Sequence, residues 1–253
     1  MVTQILDAGT KRAKAHGLGF ITYLNYLTMK HRYGSSAPKP YELISVDPAE
    51  INYICDPELN SQVSEHGTHV VGGDWDEFDE SDDPWILTDG KNKRYDTYIF
   101  HRSLKDHFCH NVPWSETKLY RLVETGKYES GHYQDVEALH NRLSEIEQLF
   151  ERMNERGYQT QRELADQGNV PFGTATWPCP EHHEVTVNIA RNGELIRDEG
   201  RHRLSVAKIL GIKTIPVRVL VRHKEWQRKR QRIASNDIPA TINLDHPDLT
   251  DVL

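Results

Sequence analysis

Hydrophobic and polar residues alternate most regularly between positions 185 and 223. In the stretch 185–189 every second residue is apolar and β-branched, which predicts a half-buried strand. Asparagine and glycine at 192–193 tolerate positive φ, so residues 195–197 are predicted to return as the second strand of a hairpin. The chain here is therefore expected to enter a sheet.

The spacing becomes helical after residue 200. Leu204, Ala207 and Leu210 recur at intervals of three and predict one buried face of a helix, which Gly211 ends. The run 215–221 is again rich in β-branched residues and predicts another strand. Together these patterns predict a strand–turn–strand–helix–strand unit, typical of an α/β protein.

The start of this helix carries the most suggestive chemistry in the chain. Its four residues are Gly200, Arg201, His202 and Arg203. The first N–H groups of a helix lack internal partners and carry the positive end of the dipole, so an anion is expected there. Arg203 lies in line with the apolar stripe, and it either contacts that anion or forms a structural ion pair with Asp198 or Glu199.

The run from Asp198 to Lys208, followed by Leu210-Gly211 and by Ile215-Pro216-Val217, resembles the helix-start motif of the ParB/sulfiredoxin-like superfamily. That superfamily includes chromosome-partition ParB proteins, which bind CTP, the sulfiredoxins and free-serine kinases. The resemblance implies an α/β (α+β) fold with a ParB/sulfiredoxin-like core. It also implies a nucleotide (ATP, ADP or CTP) whose phosphates lie on Gly200, Arg201, His202 and Arg203.

Two branches of the superfamily fit this chain poorly. Sulfiredoxins place a reactive cysteine in the motif, and none of Cys55, Cys109 and Cys179 lies there. Partition proteins continue into a helix-turn-helix domain, for which residues 222–253 are too few. The kinases of the superfamily use an acidic residue from an early strand–loop region, so the resemblance directs attention to residues 41–84.

Two carboxylates in that region are the candidate catalytic and metal-binding residues. Residues 41–51 predict the opening strand, and Asp74 and Asp76 follow the glycine pair 72–73, which leaves the backbone free to approach a ligand. Carboxylates suit Mg²⁺ or a general base. The alternative is that both belong to the solvated acidic run that continues to residue 83.

Four regions are predicted. They are an N-terminal helical segment (1–35), the ParB/sulfiredoxin-like core (41–84 and 180–223), a helical insertion (85–179), and a C-terminal basic helix with a tail (224–253). Residues 18–29 are apolar enough to pack on the core, whereas the tail from Asn236 is expected to be extended or frayed. The insertion is a candidate carrier of a substrate pocket.

Composition narrows the class of protein. The 253 residues are 27% charged and 37% hydrophobic, and no apolar run approaches the roughly 20 residues of a membrane span, so we expect a globular, cytoplasmic protein without a membrane partner. Three cysteines without paired spacing suggest free thiols. The neighbouring histidines 182–183 offer metal-ligand chemistry, but adjacent strand residues face opposite ways.

The leading hypothesis is a nucleotide-binding protein, in particular a Mg²⁺-dependent small-molecule kinase or NTPase with an unknown acceptor. The rival is a non-catalytic DNA-binding or regulatory module, since residues 222–232 are strongly basic although the net charge is −7. A nuclease is a third possibility, without a nuclease motif in the sequence. The nucleotide base, the acceptor and the oligomeric state stay open.

Overall fold

The computed structural model describes residues 19–56, 59, 62–86, 90–128, 133–168, 179–238 and 242–253. The helices in this part of the chain are α1 (19–33), α2 (Ile99–His110), α3 (Lys118–Glu124), α4 (Val136–Arg156), α5 (Gln161–Asp166), α6 (Arg201–Leu210) and α7 (Lys224–Ile233). The strands are β1 (Leu43–Val46), β2 (Ile51–Ile54), β3 (His69–Val71), β4 (Phe78–Asp79), β5 (Asn92–Arg94), β6 (Val185–Ile189), β7 (Leu195–Glu199) and β8 (Ile215–His223).

The described strands form one mixed sheet. Its order is β1-β8-β6-β7-β2-β5-β4, and β3 pairs with the last residues of β8 beyond the end of β1. Strands β6 and β8 run parallel, whereas β6 and β7 are antiparallel. The fold is therefore α/β with mixed strand directions, as the sequence predicts.

The predicted unit 185–223 is present in full. The hairpin β6–β7, the helix α6 and the strand β8 follow one another, and Gly211 ends α6 in the left-handed conformation with φ 65°. All five residues of β6 are buried. This differs from the prediction of a half-buried strand: β6 lies in the middle of the sheet, between β7 and β8, so its polar residues Thr186 and Asn188 are buried as well.

The region predicted as a helical insertion contains helices α2 to α5. Three of these helices begin at a residue whose side chain caps them. Thr117 caps α3, Asp135 caps α4, and Thr160 with Glu163 forms a capping box at α5. Helices α2 and α4 pack against α6. The region also supplies β5, which pairs with β2, so it extends the sheet as well as covering it.

Helix α1 differs from the prediction that its apolar residues pack on the core. Thr22 and Tyr33 are buried, but Phe20, Tyr23 and Leu24 are 63%, 55% and 45% exposed. The apolar residues of α1 thus lie mainly on its outer face. Among the described helices, none combines the length and the apolarity that crossing a bilayer requires.

The C-terminal region also differs from the prediction. Leu249 is fully buried, and Asp248 pairs with Arg222 (2.5 Å) and Arg230 (3.2 Å), all three nearly or fully buried. Burial alone would raise the pKa of Asp248, but the two guanidinium groups outweigh it and lower that pKa. The segment 246–249 is therefore packed rather than frayed, because Asp248 supplies the buried counter-charge of Arg222 and Arg230, while Leu244 and Leu253 stay 38% and 67% exposed.

We expect Asp248→Ala to lower the free energy of unfolding by about 3–5 kcal/mol, since it leaves two buried guanidinium groups without this carboxylate. Asp237→Ala is the matched control. Its ion pair with Arg232 is more than half exposed, so it should cost at most about 1 kcal/mol. Urea denaturation measures both, and equal losses would contradict the importance of the buried pair.

Candidate anion-binding site

The first turn of α6 has the features expected of an anion site. Gly200 precedes it with φ 84°, and no side chain caps the helix. A Cβ atom at Gly200 would lie 2.9 Å from the Cα atom of Val185, so the chain passes too close to β6 for any other residue. The result is a ten-residue helix whose N-cap residue, a glycine, offers no side-chain acceptor to the first N–H groups.

Arg203 makes a structural ion pair, but not with the predicted partners. Its Nη1 donates to Glu184 Oε2 (2.8 Å) and to the Tyr158 hydroxyl (3.0 Å), and its Nη2 donates to the carbonyl oxygen of His183. The Glu184 side chain is 0% exposed and that of Arg203 16%. Neither Asp198 nor Glu199 forms this pair, since Glu184 reaches Arg203 from the start of β6.

The other two side chains of the turn are held by aromatic residues. Arg201 donates to the Tyr98 hydroxyl (3.3 Å) and lies over the Phe100 and Tyr133 rings, with its Cζ 5.3 and 5.2 Å from their centroids. Cation–π contacts of this kind stabilise a partly buried guanidinium. Arg201 therefore serves the packing of α2 against α6.

His202 links the turn to α4. Arg142 Nη2 lies 3.3 Å from its Nδ1, and the Tyr133 hydroxyl lies 3.2 Å from its Nε2. Because a guanidinium only donates, Nδ1 accepts, and Nε2 carries the proton that it donates to the Tyr133 oxygen. His202 is thereby fixed in one orientation at the edge of a cavity.

That cavity, of about 830 Å³, lies between α4, residues 157–168 and the start of α6. Four arginines contribute to its lining: Arg142, Arg152, Arg156 and Arg203. Glu145 is the carboxylate among the described lining residues, and it pairs with Arg142 (2.5 Å). Ile146, Leu149 and Met153 supply an apolar wall. The cavity thus combines a positive balance of charge with an apolar surface.

Helix α4 lies in the region predicted as a helical insertion, but its contribution to the cavity was not predicted. Arg142, Leu149 and Arg156 are spaced seven residues apart, with Ile146 and Met153 between them, so all five share one face of the helix. Ile146 and Met153 also belong to the hydrophobic core, with exposures of 2% and 6%. The arginines at both ends of the stripe are the signal that could have indicated a ligand-facing helix.

Asp74 and Asp76 lie elsewhere. Arg191 donates to both oxygens of Asp76 (2.6–3.0 Å) and to Asp74 (2.9 Å), and the Asp76 side chain is only 1% exposed. Burial alone would raise the pKa of Asp76, but the bonds from Arg191 lower it.

Arg191 follows the end of β6, whereas Gly200 lies beside its first residue. The two carboxylates therefore lie at the opposite end of β6 from the α6 turn. The structure therefore does not bring Asp74 and Asp76 to the predicted phosphate position, and Asp76 has a structural role as the partner of Arg191.

A histidine cluster lies near residues 182–183. Three side chains each place one possible ligand atom within 4.8 Å of the other two, a grouping that resembles a metal site. They are Glu65, His66 and His182. However, Arg218 Nη1 donates to His182 Nδ1 (2.9 Å), so the proton of neutral His182 is on Nε2. Neither nitrogen offers a lone pair to a metal while Arg218 stays in place.

The basic residues 222–232, expected to bind DNA in the rival hypothesis, are largely committed within the protein. Arg222 and Arg230 form buried ion pairs with Asp248. Arg232 pairs with Asp237. Lys229 Nζ donates a hydrogen bond to the carbonyl oxygen of Arg191 (2.7 Å). Lys224 and Arg228 stay exposed on α7, so the positive charge available to a phosphodiester backbone is reduced but not removed.

Comparison of the chain with protein-family models, with curated proteins and with solved structures finds no match. The resemblance to the ParB/sulfiredoxin-like superfamily therefore stays a prediction from the motif. The candidate site is defined by its geometry alone.

We expect Glu184→Ala to lower the free energy of unfolding by about 3–5 kcal/mol, because Arg203 loses its carboxylate in a nearly buried position. Glu42→Ala is the control, since Glu42 pairs with the exposed Lys39 and should contribute less than about 1 kcal/mol. Thermal unfolding of both variants tests this. Equal midpoints would mean that Arg203 does not depend on Glu184.

Acid should destabilise the protein in the range where free histidines titrate. Burial, helped by the charge of Arg218, lowers the pKa of His182 to about 3, and burial lowers that of His101 to about 4. The unfolded chain takes up these protons near pH 6.5, earlier than the folded protein, so stability is lost as the pH falls below about 6.5.

The measurement is the thermal midpoint between pH 7 and pH 4. His182→Gln keeps an acceptor for Arg218 without titrating, so its midpoint should fall less steeply than that of the wild type. His110→Gln, on the exposed end of α2, should follow the wild-type curve. Identical curves for the wild type and His182→Gln would contradict the assignment.

Proposed function

We propose that this chain binds a phosphate-bearing small molecule, with a nucleotide as the favoured class, in the cavity between α4 and α6. The observation that carries the proposal is the N-terminus of α6 opening on a cavity lined by four arginines, of which Arg152 and Arg156 have no carboxylate partner among the described residues. Helix N-termini attract anions through free N–H groups and the helix dipole.

The lining also suits the remainder of a nucleotide. A volume of about 830 Å³ lies within the range typical of small-molecule sites. The apolar residues Ile146, Leu149 and Met153 can contact a base or another flat group, while Arg152 and Arg156, one turn apart, can contact further phosphate oxygens. This division of apolar and cationic lining supports a ligand with both characters.

The ligand is proposed to contact the first turn of α6 and the face of α4 that lines the cavity. It assigns no role in the cavity to Asp74 or Asp76, because both interact with Arg191. Magnesium enters as the counter-ion of the nucleotide phosphates. DNA is less favoured, because the basic residues 222, 230 and 232 have carboxylate partners within the chain.

The test is a thermal-shift and calorimetry series with ATP, ADP and CTP, each with and without Mg²⁺. At 1 mM, a ligand with a dissociation constant near 10 μM should stabilise the fold by about 2.7 kcal/mol. Arg152→Glu/Arg156→Glu reverses two exposed charges of the cavity and should weaken binding at least ~10-fold, since charge-assisted hydrogen bonds are lost.

Arg102→Glu/Arg121→Glu is the matched control. Both residues are exposed and lie outside the cavity lining, and the pair changes the net charge equally. The proposal fails if no nucleotide binds, or if both double variants lose affinity equally. Salt-sensitive binding of duplex DNA, measured by fluorescence anisotropy, would favour the DNA-binding alternative instead.

A further inference from the structure

Helix α1 presents an apolar face to the outside of the molecule. Five large apolar residues lie on it, with exposures between 42% and 63%: Phe20, Ile21, Tyr23, Leu24 and Leu27. The opposite face, with Thr22 and Tyr33 buried and residues 26 and 29 half-buried, packs on the body. The helix is therefore docked, and its outer face is available for another contact.

We propose that this face pairs with the same face of a second copy of this chain, as two antiparallel α1 helices related by a two-fold axis. The spacing of the apolar residues carries the proposal. Positions 20, 23, 24 and 27 are symmetric about the point between residues 23 and 24. A two-fold axis through that point brings Phe20 opposite Leu27 of the second copy, and Tyr23 opposite Leu24, so the face is complementary to itself.

The area is sufficient for a weak dimer. At the observed exposures the five side chains present roughly 500 Å² per copy, hence about 1,000 Å² for two copies, near the lower limit for a specific interface. We expect a dissociation constant between about 1 and 100 μM, since interfaces of this size lie at the weak end of stable association.

The cations at the C-terminal end of α1 disfavour a parallel pair. Lys30 and Arg32 are exposed near the C-terminal end of α1. A parallel pair would place these cations beside their own copies, whereas an antiparallel pair keeps them at opposite ends of the contact. Antiparallel helices also align their dipoles favourably.

The experiment is sedimentation velocity of the full chain between about 1 and 300 μM at 0.15 M salt. Phe20→Lys and Leu27→Glu, each alone, should weaken the dimer at least ~10-fold, because a charge then lies opposite an apolar side chain. The double variant Phe20→Lys/Leu27→Glu places Lys opposite Glu twice and should dimerise more tightly than either single variant, but more weakly than the wild type, because exposed ion pairs replace apolar contacts. Ile238→Glu, 53% exposed outside α1, should leave the dimer unchanged.

Three outcomes would overturn the proposal. A monomer at every concentration excludes self-association through this face. A dimer that the single α1 variants leave intact forms elsewhere. A double variant that dimerises no more tightly than the single variants excludes the antiparallel order. If the monomer instead binds vesicles containing phosphatidylglycerol and Leu24→Glu abolishes that binding, the face contacts lipid and not a second copy.

Discussion

The geometry of the candidate site depends on one buried carboxylate. Glu184 accepts hydrogen bonds from Arg203, from the Tyr158 hydroxyl (2.8 Å) and from the backbone N–H of Gln161 (2.5 Å). These donors come from α6, from the segment after α4 and from α5. A buried carboxylate is tolerated only while its oxygens are paired, so the three segments that surround the cavity are held to the edge of the sheet together.

Some arginines are neutralised by buried carboxylates of the chain and stabilise the fold. Others have no such partner among the described residues and are available to a ligand. Arg191, Arg222 and Arg230 have carboxylate partners with side chains at most 1% exposed, and they contribute to the fold. Arg152 and Arg156 have no carboxylate partner among the described residues and lie on the cavity. The formal charge of a segment is thus a poor guide to binding, because the partners of buried cations are distant in sequence.

Local patterns predicted the local structure well. The strands and the helix of residues 185–223 could be predicted from period-two spacing, helical spacing, a turn and a terminating glycine. Each of these signals acts within a few residues. The partner of Arg203 could not, since Glu184 is 19 residues away while Asp198 and Glu199 are nearer in sequence. Asp76 and Arg191 are 115 residues apart, so nothing local distinguishes Asp76 from the solvated acids that follow it.

The contacts of an apolar helix face are not determined by local sequence either. Periodicity shows that a helix has an apolar face, but it does not show what the face contacts. The apolar stripe of α4 ends in arginines and borders a cavity, and that of α1 points outwards. Only the tertiary arrangement distinguishes these cases from ordinary core packing.

The network around Asp248 has a consequence for the order in which the protein can fold during synthesis. Arg222 is the last but one residue of β8, a strand that pairs with β1, β3 and β6, yet its counter-charge is synthesised 26 residues later. A ribosome adding roughly 5–20 residues per second delivers Asp248 more than a second after Arg222. Until then the end of β8 cannot be buried without leaving a guanidinium unpaired, so the strand joins the sheet stably only after residue 248 has emerged.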